Sequence, residues 1–391
     1  MRLPLPMGPR DRPMRFNFQE ASGALGDLGT FIPIVVSLVA VCHLDLGTIL
    51  LFAGVYNIIT GVLFKQPVPV QPMKAIAVVA IAETLSPGSI AAAGLLAGGV
   101  VFVLGLTGGV GLVERYIPRA VVRGIQLGVG LKLFLKGVSM VDATSWMSPD
   151  GWLVAAAAGT FVVVATRSER FPAALVLFAG GVLMMLITRP SSIAGLEVGW
   201  GGLAFSLPAA GEWRTGLLRC ALPQIPLTLL NSVVAVCALS ADLYPNRGIG
   251  TRPMAVSVGL MNLVGCWFGA MPMCHGSGGL AGQYRFGART GGSVVMLGAA
   301  KIALGLLFGS SAALLMAAYP TSILGVLLCF AGAELALPAR DCRSRTSFLV
   351  ALITAAGCLA FNTALGVVIG MAVALLGIGA VLKRSNPAAS S

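Results

Sequence analysis

The sequence predicts an all-α polytopic membrane protein of about fourteen spans, set as two inverted repeats of seven with the third and tenth helices broken. Three observations predict it. Of 391 residues, 57% are hydrophobic and 10% charged, with a mean hydropathy of +0.91, far from the balance of a water-soluble domain. Apolar runs long enough to cross a bilayer recur from residue 20 to the last basic pair, with no soluble domain between them. Lys and Arg gather on alternate connections between those runs.

The first 19 residues carry Arg2, Arg10, Arg12 and Arg15 among prolines. They match neither the apolar core of a cleavable signal nor an amphipathic transit helix, and read as a cytosolic tail. The first repeat, 20–188, holds spans near 20–42, 46–64, 72–86, 90–113, 118–138, 151–166 and 172–188. A polar, glycine-rich connection covers 189–214. The second repeat, 215–382, holds spans near 215–241, 251–270, 275–287, 292–316, 320–336, 346–361 and 363–382, before a cytosolic tail at 383–391. Seven spans per half is an odd number, so the halves enter the membrane in opposite directions.

With the N-terminus inside, the inner connections hold Lys65, Arg115, Arg119, Arg167, Arg170, Arg247, Arg252, Arg285, Arg289, Arg340, Arg343, Arg345, Lys383 and Arg384. The outer ones hold Asp45, Asp142, Asp150, Glu197 and Glu212, with Arg189 and Arg214 against the rule. The net charge of +12 therefore sets topology, and nucleic acid is not an expected partner. The partner is the lipid bilayer of a cytoplasmic membrane. Eight cysteines show no CxxC spacing and lie mostly in apolar runs, so neither a metal site nor a disulfide framework is expected. No cofactor motif is present, and there is no GxxxxGKS or GxxxxGKT loop for ATP.

The third and tenth spans fall short of the roughly 20 residues of a full crossing. Each reads as a half-helix behind extended chain. YNIITGVLFKQPVPVQPMK lies over MNLVGCWFGAMPMCHGSGG with Asn57 on Asn262 and Pro67 on Pro272. Pro67 and Pro69 keep 67–71 extended, and Pro72 suits the first position of a helix. In the second copy Pro272 begins the extended chain and His275-Gly276-Ser277 opens the helix. Asn57, Asn262, Pro67, Pro72 and Pro272 thus shape the breaks. Irregular backbone at membrane depth is tolerated where it is buried or lines a cavity, and helix N-termini offer free N–H groups to anions. Two such ends facing each other make an anion site.

GALGDLGTFIPIV, PVPVQPMKAIA, PQIPLTLLNSVVAVCALSADL and VGLMNLVGCWFGAMPMCHGSGGLAGQYRFGARTG resemble the molybdate transporter family, distant relatives of the sulfate permeases. The resemblance runs over most of the chain. It implies a fold similar to the uracil and sulfate permeases, with a substrate-holding core domain beside a gate domain, and high-affinity uptake of molybdate. Ending at Ser391, shortly after the last span, the chain is expected to lack the regulatory domain typical of sulfate permeases, which favours the molybdate branch. Related folds often dimerise, and a homodimer is compatible with the sequence.

Substrate donors are expected from Gln71 and the N–H groups of Met73, Lys74 and Ala75, with His275, Gly276, Ser277 and Gly278 as their counterpart. The structural alternatives are a snorkelling Lys74 and close helix packing by the glycines. Gln224 and Asn231, seven apart, share one helical face, and Thr30 is a similar candidate. Helix–helix hydrogen bonding explains Asn231 equally well. Asp27 is a carboxylate inside a span, which calls for a pairing or a function. It is assigned to coupling or gating, with Lys74 as one possible partner and a proton as the coupling ion; Glu83 and Asn231 join it in that role. Lys301 and Glu334 are a second candidate pair.

The leading reading is a secondary active importer of molybdate working by movement of core against gate, with no chemistry done on the substrate. Sulfate or another divalent oxyanion is the alternative, because charge and oxygens are shared. A nucleobase carrier of similar architecture would be expected to bind its ring with carboxylates in the eighth and tenth spans, where this chain offers Gln224, Asn231 and Ser277. An anion channel would not saturate. A membrane enzyme is not expected, because the chain's two histidines, His43 and His275, are accompanied by no paired carboxylates or metal-ligand cluster.

Overall fold

The structure, a computed structural model, describes residues 13–146, 148–165, 172–191 and 195–385. Arg2, Arg10, Arg12, Arg167, Arg170 and the last six residues of the C-terminal tail lie outside the described residues. A short surface helix, Gly109–Tyr116, apart, the described helices form fourteen segments: α1 Phe18–Cys42, α2 Leu46–Phe64, α3 Lys74–Ala82, α4 Pro87–Thr107, α5 Arg119–Asp142, α6 Trp152–Ala165, α7 Ala173–Thr188, α8 Ala210–Leu243, α9 Thr251–Gly265, α10 Ser277–Arg285, α11 Gly292–Ala318, α12 Thr321–Asp341, α13 Arg345–Ala360 and α14 Thr363–Ser385. Seven of them, α1, α2, α4, α5, α8, α11 and α12, are long and apolar enough to cross a membrane.

Local chemistry fixes the ends. Asn17 caps α1 by accepting the Glu20 N–H, Asp45 caps α2 through the Thr48 N–H, and Ser86 caps α4 ahead of Pro87. Helix α1 tightens into a 3₁₀ turn at Leu25–Asp27. In α8, Pro223 and Pro226 have no N–H to donate, and π-helical turns flank them at Gly216–Ala221 and Thr228–Ala235. This helix begins at Ala210, earlier than the sequence suggests.

Lipid supplies no hydrophobic drive between spans, so close approach through small residues holds them together. Helices α2 and α11 meet along Gly54 and Gly61 against Gly298 and Gly291. A Cβ on Gly54 would lie 2.6 Å from the Gly298 carbonyl oxygen, and one on Gly298 would lie 2.5 Å from that of Gly54. Helices α5 and α12 cross the same way at Gly137 and Gly325. Packing sorts α1–α4 with α8–α11 and α5–α7 with α12–α14; α10 against α12 and α8 against α5 join the two groups.

At the centre of the first group, two short strands interrupt the helical fold, β1 Val70–Pro72 and β2 Met273–His275. They run antiparallel, with Val70 opposite His275, Gln71 opposite Cys274 and Pro72 opposite Met273. Asn57 accepts the N–H of Val70 at 2.7 Å, and Asn262 accepts that of Met273 at 2.8 Å. Each asparagine therefore holds the first residue of its strand, and the pair turns on a local two-fold at Gln71–Cys274.

That geometry corrects the sequence alignment by two residues. The proline equivalent to Pro272 is Pro69, not Pro67, because 13 residues separate Asn57 from its strand and 11 separate Asn262 from its own. Two helix starts move as well. Pro72 lies in β1 rather than in α3, since Met73 extends the strand pair by donating its N–H to the Pro272 carbonyl at 2.8 Å, and the helix starts at Lys74. His275 belongs to β2, and α10 starts at Ser277.

Candidate anion site at the strand crossing

Because β1 leads into α3 and β2 into α10, the crossing sets two helix N-termini on its opposite sides. Each presents backbone donors and a partial positive charge. At α3, the Gln224 Oε1 of α8 accepts the N–H of Ala75 at 2.9 Å and of Ile76 at 3.3 Å, while its Nε2 donates to the Thr228 hydroxyl at 2.8 Å. The Met73 N–H is taken by Pro272. Of the donors expected from Met73 to Ala75, the Lys74 N–H is left without a protein acceptor among the described residues. The half-buried Lys74 side chain also has neither hydrogen bond nor ion pair there.

At α10, the buried Ser277 hydroxyl donates to Asn231 Oδ1 at 2.9 Å. The glycines serve packing more than open access. A Cβ on Gly276 would fall 1.6 Å from Gln71 Oε1, one on Gly278 would fall 2.3 Å from Leu133 of α5, and one on Gly279 would meet Gln71 and Asp27. Glycine here lets the Gln71 amide lie against the α10 backbone.

Asp27 Oδ1 accepts from Gln71 Nε2, so Asp27 pairs with Gln71 and forms no ion pair with Lys74. Asp27 Oδ2 and Gln71 Oε1 are both buried without partners. Thr30 and Phe31 follow at i+3 and i+4 and share the Asp27 face of α1. The Lys301 ammonium of α11 lies 3.6 Å from the Phe31 ring centroid, has no hydrogen-bond partner, and is 4% exposed. It does not pair with Glu334, whose charged neighbours are Arg285, Arg289 and Arg340. The cluster thus combines two ammonium groups, one carboxylate, two helix N-termini and several neutral donors, an arrangement that favours an anion.

Two expected residues face elsewhere. His275 Nδ1 lies 3.3 Å from the Pro69 carbonyl, which can only accept, so Nε2 accepts from the Ser257 hydroxyl at 3.0 Å. No ring donor remains for an oxyanion. Glu83 sits at the far, exposed end of α3 and pairs with Arg219 at 3.5 Å. Sequence reasoning missed Thr228 and Leu133 and misplaced Lys301; the i+4 spacing from Gln224 to Thr228 was the available signal for the first. Among the described residues no group of three His, Cys, Asp or Glu could hold a metal.

Residues 19–133 and 216–335 match the family described as "Molybdate transporter of MFS superfamily". The chain belongs to this molybdate transporter family. Molybdate transporter 2 of Arabidopsis thaliana is 43% identical over 381 residues, covering 86% of this chain and 82% of its own. Molybdate transporter 1 of the same plant is 41% identical, covering 91% and 87%. Molybdate transporter 1 of Chlamydomonas reinhardtii is 34% identical, covering 96% and 94%.

Among solved structures, the fold is similar to SLC26A9, with a TM-score of 0.62 at 14% identity over 92% of this chain. The chain spans 65% of the length of that SLC26A9 chain. The transmembrane domain of the cyanobacterial bicarbonate transporter BicA matches with a TM-score of 0.56 at 16% identity, covering 91% of this chain and 97% of its own. This member of the molybdate transporter family is therefore a multi-pass membrane protein with the sulfate permease-like fold.

Proposed function

We propose that the chain is a secondary active importer of molybdate, holding the oxyanion between the N-termini of α3 and α10. One observation carries this reading: Lys74, the first residue of a helix that starts at a strand crossing, has no partner for its ammonium group or its N–H among the described residues. At the second helix end, the Ser277 hydroxyl and the amide of Asn231 from α8, hydrogen-bonded to each other at 2.9 Å, are the neutral groups proposed to meet and release the anion. Alternating access follows from sliding α1–α4 and α8–α11 past α5–α7 and α12–α14. Asp27 carries the coupling proton, and both termini face the cytoplasm.

Sulfate presents the same charge and similar oxygens to these donors, so the experiment must separate the two. Uptake of molybdate into proteoliposomes is measured with and without excess sulfate, and with a proton gradient on or off. Saturable uptake that resists sulfate and responds to the gradient supports the proposal. Sulfate-blocked uptake makes the protein a general oxyanion permease, and flux that follows membrane potential without saturating makes it a channel.

A further inference from the structure

A groove of about 1100 Å³ opens between α2 and α9, apart from the strand crossing. Its walls are mainly apolar, with Phe52, Ile59 and Leu63 on one side and Leu260 and Val264 on the other. Ile59, Leu63, Leu260 and Val264 are all exposed. The two cations that line it, Lys65 and Arg247, both lie at one end, and no acidic side chain lines it among the described residues. Lys65 ends α2 in a left-handed conformation with φ 53°, and the Arg247 backbone is pinned there by the Gln66 side-chain amide, which donates to its carbonyl at 2.6 Å.

The dimensions fit one leaflet. From Phe52 to Lys65, α2 rises roughly 20 Å, and from Pro253 to Val264, α9 rises about 17 Å. Half of a hydrocarbon core is about 15 Å. An apolar trough of that length with cations at one end only has the chemistry of an acyl chain below an anionic phosphate, as basic pockets between membrane helices do.

We propose that the groove between α2 and α9 binds an anionic phospholipid, with its phosphate at Lys65 and Arg247 and an acyl chain along Ile59, Leu63 and Leu260. The site reaches the transport machinery from behind. Asn57 and Asn262, on the same two helices, hold the strands, and Ser257 in the groove wall bonds His275 of β2. A lipid seated there braces the strand crossing.

The test is native mass spectrometry of the full chain released from micelles containing equal amounts of phosphatidylglycerol and phosphatidylcholine with identical acyl chains. Two surface cations give a preference for phosphatidylglycerol of roughly 30-fold. Lys65→Gln with Arg247→Gln removes the preference, each single variant halves it on a logarithmic scale, and Lys136→Gln on α5 leaves it intact. Leu260→Trp fills the trough and lowers retention of both lipids. Equal retention by the wild type, or a preference that survives both charge removals, overturns the proposal. So does a Leu260→Trp variant that changes from dimer to monomer with unaltered lipid retention, which would assign the groove to a second copy of the chain.

Discussion

The Oε1 atom of Gln224 lies 2.9 Å from the backbone nitrogen of Ala75, so a side chain of α8 caps the helix whose N-terminus faces the strand crossing. The same oxygen also accepts the Ile76 N–H at 3.3 Å. An entering oxyanion must share these amides with Gln224 or take them from it. Gln224→Glu keeps the acceptor and adds a negative charge beside the anion. The expected result is retained thermal stability with a molybdate KM raised about 10-fold or more, as repulsion of about 1.4 kcal/mol would give. An unchanged KM in proteoliposome uptake places the substrate elsewhere.

Asn57 and Asn262 hold equivalent strands with unequal grips. Asn262 accepts the Met273 N–H and donates to the carbonyls of Met273 and Val258, both at 2.7 Å. Asn57 accepts the Val70 N–H, and its Nδ2 is buried without a partner. Asn262→Ala therefore leaves more buried groups unpaired, at roughly 1–3 kcal/mol each, while Asn57→Ala also removes an unsatisfied donor. Fluorescence-detected thermal unfolding should show the larger loss at Asn262. Equal losses contradict this account of the two breaks.

Arg123 of α5 binds Asp242 at the end of α8 through both guanidinium NH groups, and Asp341 at the end of α12 at 3.1 Å. It ties the two helix groups together at one end of the molecule. Arg123→Gln should loosen that end, and a cysteine placed at position 228 by Thr228→Cys should react several-fold faster with a water-soluble thiol reagent. Exchanging the charges, Arg123→Asp with Asp242→Arg, should restore the slow rate. A rate that ignores both changes removes Arg123 from any gating role.

Two loop carboxylates predict an acid limb of stability. Burial raises the Asp45 and Asp150 carboxyls, but hydrogen bonds outweigh it and hold both below their ordinary value: Ser310 and Thr48 at Asp45, Ser322 and Thr321 at Asp150. A carboxyl lowered in the folded state stabilises above its unfolded pKa of about 3.9 and loses that stability as pH falls through the folded value. Melting temperature should drop below about pH 5. Asp150→Asn should melt lower at neutral pH and show a shallower acid limb; an identical limb contradicts the assignment.

The breaks were legible because proline and asparagine act locally. Pro69 and Pro272 keep the chain extended, and Asn57 and Asn262 sit at matching places ahead of them. The two-residue difference in spacing was hidden because a gap leaves no residue to read. The cap on α3 was hidden for another reason, since Gln224 is 149 residues from Ala75 and only packing brings them together. His275 had the composition of a ligand, yet the Pro69 carbonyl and the Ser257 hydroxyl saturate its ring. Lys301 lies over Phe31, a contact that charge pairing in sequence could not suggest.

The central claim is that Lys74 and the α10 N-terminus hold the anion. Isothermal titration of molybdate into the purified protein tests it directly, comparing wild type with Lys74→Gln and Ser277→Ala at equal melting temperature. The account predicts saturable binding by the wild type, weakened about 10-fold or more by Lys74→Gln as a charge-assisted hydrogen bond is lost, and less by Ser277→Ala. Wild-type affinity retained in Lys74→Gln would contradict it.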